Sequence, residues 1–117
     1  MLFKFLATLL ACLAVFATAD NDLASCAGKN QGVVNAIGRF CQKTDMTVPS
    51  WWAQRGMDSP DGRTQVHISG KCAPPQWVPQ KYCFSQFWNM CAWGGHHGGS
   101  VRHYGTNNCQ KWVINYG

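Results

Sequence analysis

Two stretches of the chain place apolar residues at the three- and four-residue intervals of an amphipathic helix. The first stretch, VVNAIGRFC, predicts a helix from about Asn30 to Lys43. The second, QKYCFSQFWNMCAW, predicts a helix over residues 80–93 that ends at the Gly94-Gly95 pair. A cysteine lies near each end of this second helix, so we expect a disulfide to pin it at both ends.

The remaining apolar residues alternate with polar ones, as they do in half-buried strands. TQVHISG, residues 64–70, predicts a strand with His67 on the side away from the core. VRHYG and CQKWVINY predict two closing strands, the second with Trp112, Ile114 and Tyr116 on one face. The segments around Pro49 and APPQWVP are expected to be irregular or extended. The fold class predicted is α+β, a single small domain of two helices packed on a short antiparallel sheet.

The N-terminal sequence is typical of a secretory signal. MLFKFLATLLACLAVFATAD has one lysine, a short apolar run and a small-residue Ala-Thr-Ala site, which predicts a signal peptide over residues 1–19. The apolar run is shorter than the roughly 20 residues of a membrane span. We therefore expect a secreted, extracellular protein without a transmembrane segment, whose single domain covers residues 20–117.

The cysteines that follow this signal are even in number, which is typical of a secreted disulfide framework. Cys12 lies inside the predicted signal, which leaves six of the seven cysteines. We predict three disulfides among these six, with their pairing open: Cys26, Cys41, Cys72, Cys83, Cys91 and Cys109. A domain of this size buries only a modest core, so the cross-links should contribute much of its stability.

The charge pattern argues against nucleic acid as a partner. The chain carries a net charge of +5, but its ten Lys and Arg residues are spread singly along the sequence. A cationic antimicrobial protein is an alternative, although no amphipathic basic helix supports it. We expect the protein to be a monomer.

The stretch CAWGGHHGGSVRH contains three of the four histidines and is the first candidate for chemistry. A metal site needs three or four converging ligands, and adjacent His96 and His97 rarely bind one ion together. A mobile surface loop is the preferred interpretation, and no metal or cofactor is predicted. The main alternative is a small histidine-dependent hydrolase or ribonuclease-like toxin, in which His67, His103 and Arg102 would converge on phosphate.

The tryptophans favour a binding protein over an enzyme. Six are present, and four of them lie in segments predicted to be irregular, or beside the glycine pair, where a ring can face a ligand. The expected ligand-binding residues are Trp51, Trp52, Trp77 and Trp93 as ring contacts, with His96, His97 and Asn107 as polar contacts. The absence of glutamate from the chain excludes Glu-dependent hydrolysis.

The signal, the size and the six cysteines resemble the small secreted cysteine-rich, effector-type virulence proteins of filamentous fungi. VHISGKC before a helix, then CAWGG and a final NNC, is distantly similar to fungal secreted glycan-binding, lectin-like proteins over the last half of the chain. Here HHGGSVRHYGT replaces the longer polar run those proteins carry before the last cysteine. The resemblance implies a non-catalytic binding protein whose partner is a glycan or a host extracellular protein.

Overall fold

The computed structural model describes residues 19–117, so residues 1–18 of the predicted signal lie outside it. The described chain is an α+β domain, as predicted. Its helices are α1 (residues 19–29), α2 (Gln31–Phe40), α3 (Trp51–Arg55) and α4 (Gln80–Trp93), with a short 3-10 turn at Thr106–Asn108. Its strands are β1 (Thr47–Val48), β2 (Met57–Asp58), β3 (Thr64–Gly70), β4 (Gln76–Trp77), β5 (Ser100–Tyr104) and β6 (Gln110–Tyr116).

The main sheet has four antiparallel strands in the order β2-β3-β6-β5, and a separate two-stranded ladder joins β1 to β4. Alternation along β3 and β6 buries Val66, Ile68, Trp112 and Ile114 on one face. Tyr116 continues this row but is 36% exposed. The predicted strands are therefore confirmed, with the apolar face of the sheet packed against the helices.

The two predicted helices form the other side of the core. α2 buries Val33, Ile37 and Phe40, and the side chain of its N-cap, Asn30, accepts a hydrogen bond from the amide of Gly32 at 3.0 Å. α4 spans the predicted residues and buries Phe87, whose ring contacts both helix α2 and the sheet. No helix among residues 19–117 is long and apolar enough to cross a membrane.

Two helices were not predicted. Residues 19–29 are helical, where only a polar leading segment was expected. Trp51–Arg55 form α3, where an irregular segment was expected, because the Ser50 hydroxyl accepts a hydrogen bond from the amide of Ala53 at 3.2 Å and starts a helical turn.

The six cysteines form three disulfides: Cys26–Cys91, Cys41–Cys83 and Cys72–Cys109. Two of them attach α4, one near each of its ends, as the sequence predicted. The third joins the segment after β3 to the turn before β6, and so anchors residues 105–109, which line the candidate site.

Candidate functional site

Trp77 lies on β4, held from two sides with its ring still exposed. Its backbone pairs with Thr47 on β1, and its indole N–H donates a hydrogen bond to the carbonyl of Thr44 at 2.9 Å. The side chain is nevertheless 62% exposed. An aromatic ring fixed in this way faces solvent without the freedom of a surface rotamer, which reduces the entropy lost when a ligand stacks on it.

Trp77 lines a small cleft, here called the aromatic groove. Tyr82, in the first turn of α4, lines the cleft with it, as do Tyr104 and Gly105 at the end of β5. Trp112 from the core also reaches the cleft, which has a volume of about 180 Å³. This is below the roughly 300 Å³ of a pocket for a drug-sized ligand, so the groove suits a single ring.

A chain of hydrogen bonds fixes the base of the groove. The indole N–H of Trp112 donates to Oε1 of Gln110 at 2.8 Å, and Nε2 of Gln110 donates to Oε1 of Gln76 at 3.0 Å. The amide of Thr106 also donates to Gln76 Oε1, at 3.4 Å. These hydrogen bonds hold Gln76, Gln110 and Trp112 in fixed positions beside the groove.

Residues 105–109, here called the loop, continue the surface away from the groove. Asn107 and Asn108 both adopt left-handed backbone angles, with φ of 55° and 58°, which the asparagine side chain tolerates better than most. A cavity of about 410 Å³ lies along the loop between Gln76 and Lys71, here called the middle cavity. Asn107 lines it together with Gln76, the chain neighbour of Trp77, so two of the predicted contacts, Trp77 and Asn107, line adjacent cavities.

A third cavity begins where the middle cavity ends and lies on the outer face of the sheet. It shares Lys71 and Asn107 with the middle cavity and is also lined by His103 and Lys111, so we call it the cationic pocket. Nearby His67 on β3 is partly buried, and its Nδ1 has no hydrogen-bond partner among the described residues. Burial, and after it the charge of Lys111, lowers the pKa of His67 below 6.5.

The other predicted tryptophans do not join this surface. Trp93 is 74% exposed but lies at the opposite end of α4 from the groove, about 20 Å along the helix axis from its first residue. Trp52 packs on the ring of Phe40 and donates its indole N–H to the Phe40 carbonyl at 3.2 Å, so it supports the core. Trp51 is exposed at the start of α3, one turn before Gln54, which lines the cationic pocket.

The segment of residues 94–99, here called the histidine loop, is a separate feature at the C-terminal end of α4. His97 stacks on Tyr116 at 4.2 Å between ring centroids, and the His97 carbonyl accepts a hydrogen bond from Asn30 at 3.2 Å. Gly98 has a φ of 85°, and a Cβ there would lie 2.7 Å from the sulfur of Cys91, so only glycine fits. The histidine loop is thus packed onto the domain, and together with Lys29 it lines a cavity of about 500 Å³.

The histidines do not converge. The rings of His96 and His97 are 4.8 Å apart, but His103 lies on another face, and no group of three or more His, Cys, Asp or Glu in the described part of the chain is placed to hold a metal ion. Arg102 is also separated from His103, because adjacent strand residues point to opposite faces and Arg102 donates a hydrogen bond to Asn89 on α4. The arrangement needed for the hydrolase alternative is not formed.

Comparison of the chain with family models, with curated proteins and with solved structures gives no match. The functional proposal therefore depends on the geometry of this chain alone. Tyr82, Lys71 and Lys111 are the site residues that the sequence did not indicate. The sequence pattern assigns Tyr82 to a helix and does not mark it as a ligand contact. Its place in the first turn, only five residues after Trp77, is the signal that could have indicated it, and the structure shows that it is exposed.

Proposed function

We propose that this chain is a secreted, effector-type binding protein without catalytic activity, and that it recognises a glycan at the aromatic groove. Two features support export: the signal-like residues 1–19 and a framework of three disulfides, which persists in oxidising compartments. The separation of Arg102 from His103 supports binding rather than phosphoryl chemistry.

The observation that carries the proposal is the exposed side chain of Trp77, fixed by its indole hydrogen bond, at a cleft that Tyr82 also lines. The apolar C–H face of a sugar can stack on an indole ring, while its hydroxyls bond to amide and phenol groups at the edge. Gln86 and Tyr104 supply such groups around the groove. The volume of about 180 Å³ suits one sugar ring, and the middle cavity gives the next part of an oligosaccharide a place along the loop.

The contribution of Trp77 follows from its exposed area. A tryptophan presents up to about 250 Å², so an exposed fraction of 62% leaves roughly 155 Å². A sugar that covers half of this area removes about 80 Å² from water, or about 2 kcal/mol at 25 cal/mol per Å². Replacing Trp77 with alanine should therefore weaken binding about 30-fold.

The test is a glycan array probed with the oxidised protein, with Trp77→Ala and, as a matched control, with Trp93→Ala. Trp93 is at least as exposed as Trp77 but lies outside the groove. We expect binding that Trp77→Ala weakens by about 30-fold, that Trp93→Ala retains and that a chelator leaves unchanged. Loss of glycan binding in the Trp93 variant alone would overturn the assignment of the site to the aromatic groove. An array on which the wild-type protein binds nothing would exclude a glycan and make a host extracellular protein the partner to capture.

A further inference from the structure

The cationic pocket brings together basic residues that are far apart in the sequence. On the outer face of the sheet, Lys111 of β6 is paired with Ser69 of β3 on one side and with His103 of β5 on the other. Lys71 follows β3 directly, and its amide donates a hydrogen bond to the carbonyl of Cys109 at 3.1 Å. Three strands therefore place two lysines and a histidine around one cavity of about 580 Å³.

The positive charge of this pocket is not neutralised by the protein. The ion pairs among residues 19–117 are Lys43–Asp45 and Arg55–Asp58, and neither includes Lys71 or Lys111. No aspartate lines the pocket, and the chain contains no glutamate. Two lysines that line one cavity give it a positive potential, so the pocket binds an anion more favourably than a neutral group.

The remaining lining groups suit the oxygens of a tetrahedral anion. Asn107 and Asn108 of the loop contribute amide groups, and Ser69 contributes a hydroxyl. A sulfate or phosphate ester has three terminal oxygens that accept hydrogen bonds from such donors while lysines neutralise its charge. The mixture of charged and neutral donors distinguishes this pocket from an ordinary solvated lysine surface.

We infer that the cationic pocket binds a sulfate or phosphate ester carried by the same saccharide that occupies the aromatic groove. The inference rests on the proposed function, because the middle cavity adjoins both sites: it shares Lys71 and Asn107 with the pocket, and its lining residue Gln76 is the chain neighbour of Trp77 in the groove. The ligand class is an anionic oligosaccharide, with a sugar ring on Trp77 and its ester group between Lys71 and Lys111.

The experiment measures affinity by calorimetry for a sulfated oligosaccharide, for its phosphorylated analogue and for the unsubstituted oligosaccharide. The readout is the ratio of affinities, anionic over neutral. We expect the wild-type ratio to exceed about tenfold and to fall about tenfold in Lys111→Ala, the effect of losing one charge-assisted hydrogen bond. It should approach one in the double variant Lys71→Ala/Lys111→Ala. The analogue with the larger ratio identifies the ester.

Arg39→Ala is the matched control, because Arg39 is exposed in the last turn of α2 and does not line the pocket. It removes the same net charge and should leave the ratio unchanged. An equal loss of ratio in Arg39→Ala would show a general charge effect and overturn the pocket. Inorganic sulfate or anionic lipid vesicles that bind as tightly as the anionic oligosaccharide would overturn the inference that the anion is carried by a saccharide.

Trp77→Ala separates this inference from the proposed function. It should weaken the anionic and neutral oligosaccharides by the same factor, so the ratio stays at its wild-type value. A ratio that depends on Lys111, with no effect of Trp77→Ala on either ligand, would support the pocket and overturn the aromatic groove. If Trp77→Ala weakens oligosaccharide binding but the wild-type protein binds the anionic and neutral oligosaccharides equally, the groove is upheld and the inference is overturned.

Discussion

Lys29 caps the C-terminal end of α4 from another helix, and its removal gives the sharpest test of how the histidine loop is held. Its ammonium group donates hydrogen bonds to the carbonyls of Ala92, Gly94 and Cys91 at 2.6, 3.2 and 3.3 Å. These carbonyls lie at the C-terminal end of the helix, where the helix leaves its last carbonyls without their usual partners, although the Cys91 carbonyl also accepts a hydrogen bond from the Gly94 amide at 3.3 Å. α4 has no basic residue in its last turn. Lys29 supplies the missing positive charge.

The magnitude can be estimated from these contacts. A hydrogen bond to a charged group contributes about 1.5–3 kcal/mol net, and a positive charge at a helix C-terminus adds about 0.3–1 kcal/mol. One ammonium shares its charge among three carbonyls, and water reaches this partly exposed site. We therefore expect Lys29→Met to lower the free energy of unfolding by about 2 kcal/mol, which lowers Tm by about 8–16 °C in a domain of this size.

The assay is calorimetry of the oxidised protein with Lys43→Met as the matched control. Lys43 also makes a charged contact, at 3.1 Å to Asp45, but at an exposed site where an ion pair contributes at most about 1 kcal/mol. We expect a much smaller Tm change in the control. A Tm change in Lys29→Met no larger than that of the control would refute the assignment of Lys29 as the cap of α4.

Three further outcomes follow from the packing. Replacing both Cys72 and Cys109 with serine removes a cross-link between residues 37 positions apart, and urea denaturation should show the free energy of unfolding lowered by about 4 kcal/mol. The same change should weaken glycan binding, because residues 105–109 lose their anchor. Trp52→Ala should destabilise by about 2–3 kcal/mol and leave glycan affinity unchanged, because its ring packs on Phe40. His67 should make stability depend on pH: because burial lowers its pKa in the folded protein, the unfolded chain binds the proton first, so this stabilisation is present above the ordinary histidine pKa of about 6.5 and is lost as the pH falls below it. In His67→Gln this loss of stability should be smaller, and an identical loss in both proteins would contradict the burial of His67.

The regular elements of the core were predictable because their side-chain periodicity is strong. α4 and β3 have the predicted bounds, since a four-residue stripe and a clean alternation leave little choice of element. α3 was missed because five residues are too short for a periodic stripe. Its start was encoded in a local signal, the Ser50 side chain that caps the Ala53 amide.

The site was predictable only in part. Trp77 was expected to be a ring contact, because the prolines around it favour an irregular or extended segment, where a ring can face a ligand. The cationic pocket was hidden, because Lys71 and Lys111 are isolated charges in the sequence and only the register of β3 with β6 makes them neighbours. Periodicity indicates which face a residue occupies, but it does not give the register between strands distant in sequence.

The central claim is that a glycan binds at Trp77 and along the loop. The most direct test is an NMR titration of the ¹⁵N-labelled protein with an oligosaccharide that binds on the array, following the indole N–H signals of the tryptophans and the backbone amides of residues 105–109. We expect the Trp77 indole and the loop amides to shift together, with Trp93 unchanged. Shifts at Trp93, His96 and His97 with Trp77 unchanged would contradict the account.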